Sequence, residues 1–198
     1  MIRKIGLYGG TFDPVHVAHI EIAQASLTGD YHIDKLIIMP CQLSPHKLKG
    51  EKPAEAKHRL NMLTSAFEGM SNIEISSYEL DQKDISYTWQ TLSWLKNKWP
   101  DAHITLIIGD DQARVLHKWS RIENWGKEVE FLVFSRKIQD TKAETFYLEN
   151  HLNMRYAEED VADISATQIR HNVSQRKSID GLVAPLVVDY IKEQQLYL

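Results

Sequence analysis

Four short apolar runs punctuate the chain, at residues 2–8, 35–39, 103–108 and 129–134. The second and third are nearly continuous in Ile, Leu and Val rather than alternating. Continuous runs of that length predict strands buried on both faces, as in a parallel sheet. Longer segments with helical spacing lie between them. Ile20, Ala23 and Leu27 make one stripe; Leu60, Leu63, Ala66 and Phe67 make a second. Thr88, Leu92 and Leu95 make a third, closed by Trp99 and Pro100. Strand and helix in alternation predict an α/β fold, a doubly wound parallel sheet with right-handed crossovers. The last fifth reads as mostly helical, over about 165–173 and 185–195. Residues 137–149 are polar and unpatterned, and are expected to form a mobile loop.

Length and composition narrow the class. At 198 residues the chain suits one domain with a substantial core, residues 1–198, its helical part covering about 165–198. A formal net charge of −4 argues against a protein that holds DNA or RNA, yet allows a local basic pocket for small phosphorylated ligands. The single cysteine, Cys41, has no partner for an internal disulfide and suits a reducing compartment. No segment approaches the roughly 20 apolar residues of a membrane span, and the opening residues do not read as a signal peptide. The expectation is a cytoplasmic protein with no membrane partner. The sequence carries no signal for oligomeric state.

Candidate chemistry falls repeatedly at one edge of the predicted sheet. Ligands of open α/β sheets bind beyond the carboxyl ends of the strands. Gly9-Gly10-Thr11-Phe12-Asp13-Pro14 follows the first strand, and residues 40–47, reading PCQLSPHK, follow the second. Gly109-Asp110-Asp111 follows the third, and Ser135-Arg136 the fourth. His16 and His19 open the first helix, three residues apart and so on one face beside its partly positive end. Gly9 and Gly10 permit close approach of a ligand to the backbone, as phosphates need at a strand-to-helix turn. Phosphate binding, a metal pair and two inconsequential surface histidines all remain open on these local features. No third metal ligand stands at a convincing spacing, so no metal residue is named.

The whole string GGTFDPVHVAH resembles the nucleotidyltransferase superfamily, whose signature joins a glycine-rich turn, Phe-Asp-Pro and a histidine motif. The superfamily's second hallmark stands here as Ile164-Ser165-Ala166-Thr167-Gln168-Ile169-Arg170. Ser165 is a natural N-cap, which would present backbone amides and an arginine to phosphate oxygens. Ser-Pro-His-Lys at 44–47, Ser86-Tyr87-Thr88, and Ile107-Ile108-Gly109-Asp110-Asp111 followed by Lys118-Trp119 narrow the likeness to nicotinate mononucleotide adenylyltransferases. The closing LVAPLVVDYIKEQQLY fits as well, so the resemblance spans essentially the whole chain.

That resemblance implies a Rossmann-like fold and direct in-line transfer of the adenylyl group of ATP to nicotinate mononucleotide. The products would be nicotinate adenine dinucleotide and pyrophosphate. His16, His19 and Arg170 are implied as the catalytic set on the phosphates. Gly9, Gly10, Thr11, Phe12, Gly109, Asp111, Arg136, Ser165 and Thr167 are implied around ATP. Lys47, His46, Thr88 and Trp119 are implied around the mononucleotide, with Trp119 stacked on the pyridine. Mg²⁺ is expected to accompany ATP. The chain departs from the family pattern at Ala18, Cys41 and Ser120, where Gly, Asn and Tyr are usual, and after Arg136. Nicotinamide mononucleotide as acceptor, a sibling adenylyl- or cytidylyltransferase, a non-catalytic nucleotide sensor and a metal hydrolase are the alternatives.

Overall fold

All four predicted strands form, within two residues of their expected ends: β1 (Lys4–Gly10), β2 (Lys35–Pro40), β4 (His103–Gly109) and β5 (Glu130–Phe134). The structure, a computed structural model, describes residues 2–43, 52–82, 85–134 and 141–198, with the backbone alone at 141 and 142. Two further strands, β3 (Ile73–Ile75) and β6 (Asn153–Tyr156), occupy the outer positions. The order is β3-β2-β1-β4-β5-β6 and every pairing is parallel. The helices are α1 (Val17–Thr28), α2 (Ala56–Ala66), α3 (Thr88–Lys98), α4 (Asp110–Ala113), α5 (Ile122–Trp125), α6 (Thr141–Glu149), α7 (Ala166–Ser174) and α8 (Pro185–Glu193).

Burial on both faces explains the continuous apolar runs. Ile37, Met39, Leu106 and Ile108 turn to a core shared with Leu92 and Leu95 of α3. Leu36, Ile38 and Ile107 turn to the other, with Met62 and Leu63 of α2, Ile169 of α7 and Val187 of α8. Neighbouring residues of a strand point oppositely, so each run must be apolar at both parities. The chain winds outward through β2 and β3, then crosses β1 to begin β4. The β1/β4 junction is therefore the topological switch point, where the carboxyl-end crevice opens. Gly9-Gly10 and Gly109 sit at its rim.

Residues 141–149 correct one expectation. They form α6 rather than a loop, and Ala143 and Tyr147, four apart, are buried against the core beside β5. Among its described side chains only these two are buried, too few to show as a stripe in the sequence. Residues 137–140 lie outside the described residues. The outer strands escaped notice for a related reason: none of their residues is fully buried, so neither carries an apolar run.

Candidate active site

His16 is the N-cap of α1 and His19 its third residue. Their rings stack with centroids 3.6 Å apart, and His19 meets the edge of the Phe12 ring at 4.9 Å. The His16 amide donates to His19 Nδ1 at 3.1 Å. An accepting Nδ1 on a neutral ring places the proton on Nε2, which makes Nε2 the donor. His19 faces a cavity of about 330 Å³ at the switch point, while His16 is buried behind it.

That cavity also takes in Gly9, Gly10, Thr11, Thr88, Gly109, Asp111 and Trp119 from the predicted set. A Cβ on Gly9 would meet nothing nearer than the Met39 carbonyl at 4.0 Å. A Cβ on Gly10 would run into the Phe12 ring at 2.9 Å, so this glycine makes room for Phe12. Phe12 itself has a left-handed backbone and a buried side chain, and only its backbone can reach a nucleotide. Gly109 is likewise required by its neighbour, since a Cβ there would lie 2.7 Å from Asp111 Oδ1. Asp110, by contrast, turns away to pair with Arg114 at 2.7 Å.

The second predicted phosphate motif reaches the same edge. Ser165 caps α7 by accepting from the Gln168 amide at 3.2 Å, as its position predicted. Arg170 crosses to the loop after β1, where Nη1 donates to the Asp13 carbonyl at 2.8 Å. Its Nη2 lies 3.4 Å from Thr167 Oγ1, and Ser165 and Thr167 are both exposed. Stretches 157 residues apart are thus joined beside the histidine pair. His46, Lys47 and Arg136 lie outside the described residues.

The far wall of the cavity comes from α3 and the segment before α5. Thr88 begins α3, and Trp119 packs near Trp125 with ring centroids 6.2 Å apart. Trp119 Nε1 is buried without a hydrogen-bond partner among the described residues. Cys41 and Ser120, two of the departures from the family pattern, are on the cavity wall, whereas Ala18 is buried in the first turn of α1.

Comparison with known proteins agrees with this geometry. The cytidylyltransferase-like family model matches residues 7–172, from β1 through the Arg170 turn. A probable nicotinate-nucleotide adenylyltransferase of Desulfatibacillum aliphaticivorans is 36% identical, over 98% of this chain and 100% of its own. The chain belongs to the nicotinate-nucleotide adenylyltransferases of the cytidylyltransferase-like family. The nicotinate-nucleotide adenylyltransferase of Bacillus subtilis strain 168 is 30% identical, over 99% of both chains. A Plasmodium falciparum nicotinic acid mononucleotide adenylyltransferase, solved in complex with NaAD, shares the fold with a TM-score of 0.79 at 22% identity. That match covers 98% of this chain and 97% of the other. The chain is a nucleotidyltransferase enzyme.

Within this family, sequence reasoning missed four polar residues that shape the site. Arg59 is 2% exposed. Its guanidinium donates to the carbonyls of Thr11 at 2.9 Å, Cys41 at 2.8 Å and Ala54 at 3.0 Å, clamping the loops after β1 and β2 together. Burial lowers its pKa, opposed by nearby acidic groups including Asp13. A signal existed, because Arg59 shares one helical face with Met62, Leu63 and Ala66. A charge amid an apolar stripe needs a buried partner. Glu79 lines the cavity and accepts from Thr91 Oγ1 at 2.5 Å. Burial raises its pKa, opposed by hydrogen bonds from Thr91 and Ser86. Tyr8, on the cavity floor, has its pKa raised by burial and by Asp111. The fourth, Tyr197, donates its hydroxyl to Asp13 Oδ1.

Replacing Arg59 by Met keeps most of its bulk and strands three carbonyls. Arg59→Met is expected to lower unfolding free energy by about 3 kcal/mol. Chemical denaturation checks this, and a loss below about 0.5 kcal/mol, the scale of an ordinary surface change, contradicts the clamp.

Proposed function

We propose that the chain transfers the adenylyl group of ATP to nicotinate mononucleotide, forming nicotinate adenine dinucleotide and pyrophosphate in NAD biosynthesis. One observation carries this reading: Arg170 bonds the Asp13 carbonyl in the loop that leads into the stacked His16–His19 pair, and His19 and Trp119 line one cavity. A phosphate oxygen of the mononucleotide attacks the α-phosphorus of ATP, and the bond to the bridging oxygen breaks. Pyrophosphate leaves with that electron pair. The nucleophile is already ionised at neutral pH, so the protein needs no general base. Its task is to align the two phosphates and offset the charge that develops.

His19 Nε2 and the Arg170 guanidinium supply donors for that charge, with His16 fixing the His19 ring. Ser165, Thr167 and Arg170 hold the outer phosphates. Gly109 and Asp111 line the adenosine side, where Arg136 is assigned by sequence. Trp119 stacks on the pyridine, and Lys47 and His46 are assigned to the mononucleotide phosphate. Magnesium would accompany ATP and would offset charge on the triphosphate. Among the described residues no group of three His, Cys, Asp or Glu could hold a metal. The same reading places the reaction in the cytoplasm; no described helix is long and apolar enough to cross a membrane.

The acid pyridine is favoured by the start of α3 on the cavity wall, since helix-initial amides attract a carboxylate. Glu79 favours a second reading, nicotinamide mononucleotide, because a carboxamide could donate to it. Incubation with ATP, magnesium and each mononucleotide at limiting concentration decides between them. Pyrophosphate release is expected with both, faster with the acid. Faster release with the amide reverses the assignment, and no release with either removes the function.

A further inference from the structure

Asp13 binds three stretches that the sequence keeps far apart. Its Oδ1 accepts from the Tyr197 hydroxyl at 2.7 Å and from the Ala54 amide at 3.1 Å. Its backbone carbonyl accepts from Arg170 Nη1 at 2.8 Å, and its Oδ2 lies 3.8 Å from that nitrogen. Asp13 is 7% exposed and follows directly on the glycine-rich turn.

A carboxylate beside a guanidinium anchors it and also competes with any phosphate it is to receive. The balance depends on where the carboxylate points. Tyr197 and Ala54 both draw on Oδ1 and so fix the rotation of the group. Oδ2 then stays beyond hydrogen-bond distance of Arg170. Arg170 is aimed chiefly by a neutral carbonyl, which with Thr167 occupies only part of its donor set. Tyr197 is suited to this task. Burial and the Asp13 carboxylate push its pKa up, so the hydroxyl remains a protonated donor at neutral pH. Its backbone is left-handed, with φ at 64°. A bulky side chain is uncommon there and is held by its contacts.

We infer that Tyr197 is a positioning residue for ATP: by fixing the Asp13 carboxylate, it holds the Arg170 guanidinium aimed at the triphosphate and free to receive it. This rests on the adenylyl-transfer reading above. A merely structural role for Tyr197 would lower stability and active fraction without distinguishing the two substrates.

The test is steady-state kinetics of Tyr197→Phe in the full chain, varying ATP and nicotinate mononucleotide separately. The KM for ATP is expected to rise about tenfold, the scale of one hydrogen bond to a charged group. The KM for the mononucleotide is expected to stay within about twofold of wild type, as for a site outside the perturbed network. In an Arg170→Ala background the same substitution is expected to add nothing to the KM for ATP, because the group it acts through is gone. An unchanged KM for ATP, an equal rise in both constants, or a full penalty in the Arg170→Ala background each overturns the inference. Calorimetric titration with a non-hydrolysable ATP analogue reads the same coupling without turnover. If the wild-type chain forms no dinucleotide, the functional reading fails, and that titration still decides the role of Tyr197.

Discussion

His19→Ala lowers kcat by about 10²–10³-fold while leaving the protein folded, the scale on which removal of one preorganised charge-stabilising donor acts. The expectation rests on how rigidly the ring is held. The His16 amide occupies Nδ1, the His16 ring covers one face, and the Phe12 edge meets the ring from another side. A donor held in that way costs little reorganisation when charge develops on the phosphate. Alanine removes the donor and the stacking partner of His16, yet leaves the helix start to other contacts, including the Val17 amide bonded to the Leu182 carbonyl. Rapid-quench measurement of pyrophosphate isolates the chemical step. An unchanged rate in a folded variant removes His19 from the catalytic set.

The second large effect belongs to the other end of the cavity. Trp119→Ala raises the KM for nicotinate mononucleotide by about 10- to 100-fold, because stacking of a base on an aromatic ring is worth about 1–3 kcal/mol. The KM for ATP changes little, since Trp119 stands with α3 and Trp125 and not with the Arg170 turn. Trp119→Phe retains part of the stacking face and falls between the two. Equal loss of affinity for both substrates shows that the indole serves the shape of the whole cavity rather than the pyridine.

How legible the site was depended on whether a residue's role is local. His16, His19 and Ser165 act at helix starts and announce themselves by spacing and capping chemistry within a few residues. Ser165 caps α7 as expected, and the central strands betray themselves by apolar runs at both parities. Arg59 and Tyr197 reach partners remote in sequence, 48 residues between Arg59 and the Thr11 carbonyl and 184 between Tyr197 and the Asp13 carboxylate. Such pairings depend on the sheet order that brings α2 and the residues after α8 to the β1 loop. Glu79 illustrates the same limit. Its burial follows from the packing of α3, twelve residues on at Thr91, and not from any pattern around it.

The family motifs filled part of that gap without explaining it. They pointed to Gly10 and Phe12 as nucleotide contacts, and the packing adds that one is the seat of the other, with Phe12 in turn bracing His19. A string of ligand-like residues can thus include members that act one step removed. Asp13 belongs with them, quoted in the motif yet placed by its bonds as a junction between loops.

Adenylyl transfer as proposed requires that the imidazole pair of α1 and the arginine of α7 grip one polyphosphate. A crystal structure of the protein with a non-hydrolysable ATP analogue and magnesium measures this directly. Phosphate oxygens are expected within about 3.2 Å of both His19 Nε2 and the Arg170 guanidinium, the reach of a hydrogen bond. A triphosphate bound to one of these groups with the other turned away, or seated elsewhere on the sheet edge, contradicts it.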